Sequence, residues 1–236
     1  MPAMPKDTKG KNNAKENFYE WEFNNDMQYK IKSRCEELGI KVFLTNPNPQ
    51  NVSDIALGVR AKLANDYWIK NNKPKSIFIS LHANAFSNSS ARGTETYHAN
   101  NASTTSKNFA KVLNNEIVKT MKKLDPASKD RGVKSENFTV IYKASMPSVL
   151  VEYGFYSNLD DLKILKNNQA ELVEATVKAI CSYFNIEYKE KVNESNFNGN
   201  TLYAVCVGAY KDRNKADAIV KELKEKGYTS TYLIIR

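Results

Sequence analysis

Two histidines, His82 and His98, are the only imidazoles in this chain of 236 residues, so a histidine-based metal site or acid/base pair has very few candidates. His82 follows the apolar run Ile77 to Leu81 and opens the small-residue stretch Ala83-Asn84-Ala85. That sets it at the C-terminal end of a strand, where open α/β sheets hold their sites. A metal ligand and a hydrogen-bonded strand-end histidine are both open readings of the position. Glu152 closes the run Val149-Leu150-Val151 and precedes Tyr153-Gly154-Phe155, a turn that would present the carboxylate at the sheet edge. A solvated strand-end carboxylate is the alternative there. Glu20 and Glu22 open the first helix, where acids favour the macrodipole, and helix-end electrostatics accounts for both without any chemistry. A carboxylate and a histidine can hold Zn²⁺, and a further glutamate can take a proton from the bound water. The chemistry of such a set is amide hydrolysis, with the metal polarising the carbonyl and the glutamate acting as base and then as acid to the leaving amine. These positions are far apart in sequence and form no HExxH-type cluster, so only the fold can assemble them.

The elements that must do so follow from periodicity. From Phe18 to about Leu38, Phe23, Met27, Ile31 and Cys35 recur every four positions, predicting an amphipathic helix that stops at Gly39. Ile40 to Leu44 reads as a short buried strand. Asn51 to Ser53 offers a polar cap to a second helix with Ile55, Val59, Leu63 and Tyr67 on one face, ending near Asn71-Asn72 and Pro74. Ile77 to Leu81 is an apolar run suited to a sheet covered on both faces. Thr94 to His98 is another strand, and a helix over Thr104 to Leu124 buries Phe109, Leu113 and Ile117. After a long turn, Phe138 to Tyr142 and Ser148 to Glu152 read as strands. Leu159 to Tyr183 closes the domain as one or two helices carrying Leu172, Thr176 and Ile180. This alternation predicts an α/β three-layer sandwich with a mostly parallel or mixed sheet flanked by helices.

The domain organisation predicted is a loop over 1–16, a main domain over 17–186, a polar linker over 187–200 and a small βαβ unit over 201–236. In that last unit, Leu202 to Val207 and Thr229 to Ile235 are strands around a helix with Ala216, Ile219, Val220 and Leu223, stopped by Gly227. It is too short to hold a core unaided, which predicts a partner surface or self-association through this half-repeat. Apolar residues make up 41% and charged residues 26% of the chain, as in ordinary globular proteins. The net charge of +9 suits a polyanion such as nucleic acid, an anionic membrane surface or a teichoic-acid-bearing wall. Lysines and arginines are interspersed with acids and lack the dense basic blocks of a nucleic-acid module, so nucleic acid is not expected. Cys35, Cys181 and Cys206 are scattered in apolar segments and read as core residues. The opening residues lack the apolar core of a signal peptide, and no later run is long enough to span a bilayer.

The ordered segments Ile77-Phe78-Ile79-Ser80-Leu81-His82-Ala83-Asn84-Ala85, Gly93-Thr94-Glu95-Thr96-Tyr97 and Pro147 to Asn158 resemble the zinc-dependent N-acetylmuramoyl-L-alanine amidases known as the Amidase 3 family. Arg60 with Ala64-Asn65, and Arg131-Gly132-Val133-Lys134, also look like that family's pattern, and the resemblance covers residues 15–185. It implies cleavage of the amide between the lactyl group of N-acetylmuramic acid and the L-alanine of the stem peptide. It further implies a Zn²⁺ cofactor with His82 as a ligand, Glu152 as the catalytic glutamate and Glu20 as the carboxylate ligand, with Glu22 the alternative. The family begins with a strand ending in Gly-His-Gly that supplies the first zinc histidine. This sequence has neither that strand nor that histidine. His98 reads as an exposed or packed residue of a neighbouring strand, not as a substitute. Two ligands should weaken metal affinity severely, so the resemblance suggests an N-terminally shortened enzyme. The competing expectation is a non-catalytic wall-binding protein of the same fold. Leu202 to Tyr210, with Ala216 and Gly227-Tyr228, looks like half of a SPOR repeat, a peptidoglycan-binding module. Peptidoglycan is therefore the expected partner, with action at the bacterial cell wall after release by lysis, a holin or non-Sec export.

Overall fold

The computed structural model describes residues 18–46, 55–190 and 212–226. The chain divides into two compact units, Met1–Lys189 and Glu190–Arg236. In the first, helix α1 (Glu20–Glu37) buries Phe23, Met27, Ile31 and Cys35, the four positions of its apolar stripe. It ends because Gly39 takes a left-handed φ of +79°. There the Gly39 N–H donates to the Glu36 carbonyl and the Ile40 N–H to that of Cys35, a Schellman closure that satisfies two otherwise orphaned carbonyls. Helix α3 (Thr104–Leu124) is capped by Ser103, whose side chain accepts from the Ser106 N–H, and buries Phe109, Leu113, Ile117 and Met121. Helices α5 (Leu159–Asn167) and α6 (Gln169–Phe184) close the unit.

Strands β1 (Phe78–Asn84), β2 (Thr94–His98), β3 (Asp130–Ser135) and β4 (Ser148–Phe155) form a mixed sheet in the order β1-β4-β2-β3. β1 runs parallel to β4 and β2 parallel to β3, whereas β2 and β4 are antiparallel. Strand alternation divides β4 between two cores. Val149, Val151 and Tyr153 pack with α1, α3 and α6, while Leu150 packs with Val140 and Ile141 of the short helix α4 (Thr139–Tyr142). Helix α2 (Leu57–Lys70) lies against α4 on that second face. The layers are therefore helix, sheet and helix, as the alternation of elements predicts. Cys35 and Cys181 are buried and unbonded, and burial followed by the nearness of Cys181 pushes the Cys35 thiol up to about 12.

Five expectations are corrected. Tyr153-Gly154-Phe155 does not turn but continues β4, so Glu152 lies within an interior strand of the sheet, between β1 and β2. Ile40 to Leu44 is no strand, because no strand among the described residues pairs with it. Phe138 to Tyr142 turns as α4, since a short apolar run does not distinguish strand from helix. The expected long turn before it contains β3, whose Asp-Arg-Gly-Val-Lys-Ser sequence shows no alternation because it lies at the sheet's margin. Helix α2 begins at Leu57 and packs through Ala61 and Ala64, leaving Val59 and Tyr67 48% and 40% exposed. Small side chains let its backbone approach the layer below, so the larger apolar residues face outward. The proposed cap at Asn51 to Ser53, the loop over 1–16, Cys206 and both strands of the C-terminal unit fall outside the described residues. Helix α7 (Arg213–Glu225) of that unit is capped by Asp212. No helix among the described residues is long and apolar enough to cross a membrane.

Candidate active site at the ends of the strands

Parallel register sets His82 of β1 beside Glu152 of β4, and antiparallel register sets Glu95 of β2 on the other side of Glu152. Directly opposed residues share a face, so one row of side chains crosses three strands. The first turn of α1 joins this row at its β1 end, where Glu20 Oε1 lies 2.8 Å from His82 Nδ1. His82 Nε2 lies 3.0 Å from Ser80 Oγ, and the Asn24 amide donates to Glu20 Oε1 at 3.3 Å. Glu22, one residue around the helix, is exposed, and burial followed by the charge of Asp26 raises its pKa. His98 stands apart at the end of β2, with Nδ1 2.9 Å from the Ala99 carbonyl.

The two central carboxylates have opposite electrostatics. Burial, followed by the charges of Glu20 and Glu95, raises the Glu152 pKa well above the usual carboxylate range. Its Oε2 is shut away from solvent without a hydrogen-bond partner among the described residues. Burial also works against ionisation of Glu95, but hydrogen bonds from Lys134, Arg131 and Tyr97 outweigh it and lower the pKa. Arg131 Nε donates to Glu95 Oε2 at 2.7 Å, and Asn84 Nδ2 and Tyr97 Oη donate to Oε1 at 2.8 and 2.9 Å. Lys134 forms an ion pair with the same Oε2. Neighbouring carboxylates whose environments push their pKa values apart are a common signature of acid/base sites. Glu95, Arg131 and Lys134 stand within the motifs of the sequence, but nothing in their local pattern sets them beside Glu152. The available signal was a carboxylate in the middle of a strand between two threonines.

Glu20 and His82 have the donor types of a zinc site, and the unsatisfied Glu152 carboxylate lies beside them. The donor chemistry fits zinc, but the number falls short. Among the described residues no group of three His, Cys, Asp or Glu side chains could hold a metal ion, whereas catalytic zinc ordinarily takes three protein ligands.

A family profile described as N-acetylmuramoyl-L-alanine amidase matches residues 5–182. The chain belongs to the N-acetylmuramoyl-L-alanine amidase family. A sporulation-specific amidase of this name from Bacillus subtilis (strain 168) is 26% identical over 198 residues, spanning 83% of this chain and 68% of that protein. The crystal structure of an N-acetylmuramoyl-L-alanine amidase from Clostridium difficile 630 superposes with a TM-score of 0.64 and 29% identity, covering 78% of this chain and 94% of the other. The catalytic domain of CwlV, an amidase of the same name from Bacillus (Paenibacillus) polymyxa var. colistinus, gives 0.61 and 29%, covering 74% and 89%. Among amidases of this family, then, the similarity spans the whole sheet-bearing unit. A second profile, described as the SPOR domain, matches residues 149–234. Its first part coincides with β4, α5 and α6, within the region the amidase profile also matches.

Proposed function

We propose that this chain hydrolyses the amide bond between N-acetylmuramic acid and L-alanine in peptidoglycan, with Zn²⁺ held by Glu20 and His82 and with Glu152 as the proton-transfer group. The observation that carries this reading is the assembly of Glu20, His82 and Glu152 from three separated segments into one row, with Glu152 unsatisfied. Zinc, when bound, supplies a polarised scissile carbonyl and an acidified water.

The chain's own residues do the rest. Ser80 Oγ, 3.0 Å from His82 Nε2, orients the ring and leaves Nδ1, which faces Glu20 Oε1, as the nitrogen that would ligate the metal beside that carboxylate. The raised pKa of Glu152 moves its carboxyl toward the pH at which one group can both take a proton from water and return it to the departing alanine nitrogen. Glu95, held ionised by Arg131 and Lys134, contributes a fixed negative charge that maintains that shift. The basic balance of the chain favours an anionic wall. The SPOR match supports retention on peptidoglycan through the region around 201–236, with the domain boundaries at 17–186, 187–200 and 201–236. Self-association through that half-repeat belongs to the same proposal.

A second reading, a wall-binding protein without catalysis, is favoured by the two-donor count. The deciding test is incubation with Gram-positive peptidoglycan, with added Zn²⁺ or with a chelator, measuring newly exposed N-terminal alanine. Zinc-dependent release that disappears in Glu152→Gln is the expected result. Retention on the wall without alanine release at any zinc concentration supports the second reading.

A further inference from the structure

The row of side chains that begins at Glu20 does not end at Glu95. Beyond it, on the outermost strand β3, Arg131 and Lys134 both pair with one Glu95 oxygen, Oε2. The Glu95 side chain is 3% exposed, whereas those of Arg131 and Lys134 are 33% and 38% exposed. One carboxylate beneath two cations leaves a single positive charge open to solvent. The row therefore carries a gradient of charge, with Glu20 and Glu152 toward β1 and a surplus cation at β3.

Both cations are held in place and only partly used. The Arg131 guanidinium lies over the buried Phe155 ring, its carbon 4.8 Å from the ring centroid. Its Nε donates to Glu95 at 2.7 Å, and its two terminal nitrogens donate to no atom of the described residues. Those nitrogens form a planar fork that matches a carboxylate. Lys134 Nζ stands 5.8 Å from the Tyr97 ring centroid, and apart from Glu95 Oε2 it has no hydrogen-bond partner among the described residues. A ring below and a carboxylate beside fix the fork before any ligand arrives, which lowers the entropy lost on binding.

We propose that Arg131 and Lys134 form a subsite for a free carboxylate on the second residue of the peptide released from the wall. The direction of the substrate rests on the amidase reading above. The N-acetylmuramic acid side of the scissile bond is uncharged there, because its lactyl carboxyl is consumed in the amide. Charge is found on the peptide side, so the cationic end of the row takes the peptide. Reach then selects the residue. Neighbouring strands lie about 4.8 Å apart, which sets Glu95, and the cations gathered on it, about one spacing past Glu152. Extended chain advances about 3.3–3.6 Å per residue, so two residues counted from the alanine cover that distance. A glutamate there, joined to the next residue through its side chain, keeps its α-carboxylate free, and amidation turns the same group into an uncharged carboxamide. The subsite distinguishes the two.

The test uses the full chain and a pair of synthetic N-acetylmuramoyl-L-alanyl-D-glutamates. Both have the γ-carboxyl capped as a methylamide, and they differ only in an α-carboxylate or α-carboxamide. Alanine release is followed with Zn²⁺. Binding of the corresponding free dipeptides, at millimolar concentration in chelator, is followed by the amide resonances of Arg131 and Gly132. The parent chain is expected to favour the acid by about five- to tenfold in kcat/KM and in Kd, the range for charged pairs that stay partly exposed. Arg131→Gln and Lys134→Gln should each bring that ratio toward one, and Arg131→Lys should keep part of it. A ratio taken within one variant does not depend on the fraction folded. Equal handling of acid and amide by the parent overturns the proposal and leaves the amidase reading standing if alanine is released. A ratio that persists in both glutamine variants overturns it too, as does the absence of any shift with either dipeptide. Equal shifts with glycerol phosphate would reassign the cations to the phosphates of a wall polymer and overturn it as well. An acid preference in binding with no alanine release from either substrate would sink the amidase reading and leave the carboxylate site standing.

Discussion

Glu152 and Glu95 are register partners with pKa values displaced in opposite directions, and that contrast yields two predictions. Because the Glu152 pKa is raised on folding, the folded chain keeps a proton that the unfolded chain has lost. Stability therefore declines as pH climbs from the ordinary carboxylate range toward the folded pKa, then levels. Glu152→Gln removes this decline. Thermal melts in chelator should show little difference between variant and parent near pH 4, with a variant advantage of a few degrees that grows as pH rises. The same substitution should lower alanine release by about 10²–10⁴-fold, the usual worth of a positioned proton-transfer group. For Glu95 the sign reverses. A lowered folded pKa stabilises the fold above the usual carboxylate pKa, and the contribution disappears as pH falls through the folded value. Glu95→Gln should cost about 1–3 kcal/mol at neutral pH, with Arg131 and Lys134 left without their counter-charge, and urea titrations should show the deficit shrinking in acid.

Besides its apolar packing, helix α5 is tied to the sheet by a buried carboxylate in its first turn. Asp161 is fully buried and accepts from the Gly93 and Phe155 N–H groups at 2.7 and 2.9 Å and from Arg92 Nε at 3.2 Å. It thus ties the start of β2 to the end of β4, the strands that carry Glu95 and Glu152. Asp160 contacts the same guanidinium at 3.1 Å, but its side chain is 67% exposed. Asp161→Asn should lower the unfolding free energy by about 3 kcal/mol, because Arg92 loses a buried partner. Asp160→Asn should change it by less than about 1 kcal/mol. Urea denaturation of the two variants checks the contrast. Gly93 belongs to the same junction: at φ +106°, a Cβ there would lie 2.2 Å from the Lys129 carbonyl oxygen, so Gly93→Ala should fold poorly if at all.

The whole chain joins a sheet-bearing unit, Met1–Lys189, to a second one, Glu190–Arg236. Arg34 binds the Lys189 carbonyl and Glu174, so the first unit's last residues are held by α1 and α6. A chain ending at Lys189 should keep the melting behaviour of the main transition and cleave soluble muropeptide at the rate of the full chain. Its sedimentation with intact wall should fall, and raising salt should weaken wall binding of the full chain, since that attraction is partly electrostatic.

Local pattern was enough for α1, α3 and β2 and for the assignment of β1 and β4 as strands, because each has a clear apolar period or run and a stop signal close in sequence. It also drew attention to His82 and Glu152 by residue type and apolar context, although β4 runs on past Glu152 to Phe155; the choice of Glu20 over Glu22 came from the resemblance to the amidase family. Failures came where identity depends on a neighbour. β3 has no apolar alternation and exists because it lies beside β2; α4 could have been either element until Val140 and Ile141 met Leu150; segment 40–44 has the composition of a strand but lacks a ladder. Glu95 is the same case at the site, since only pairing across β2 and β4 brings it to Glu152. Periodicity is written in consecutive residues, whereas register and burial are set by contacts between segments far apart in the chain. The residues proposed for the chemistry could therefore be named from the sequence, whereas the place of Glu95 beside Glu152 and the opposed shifts of the two carboxylates were decided by the tertiary structure.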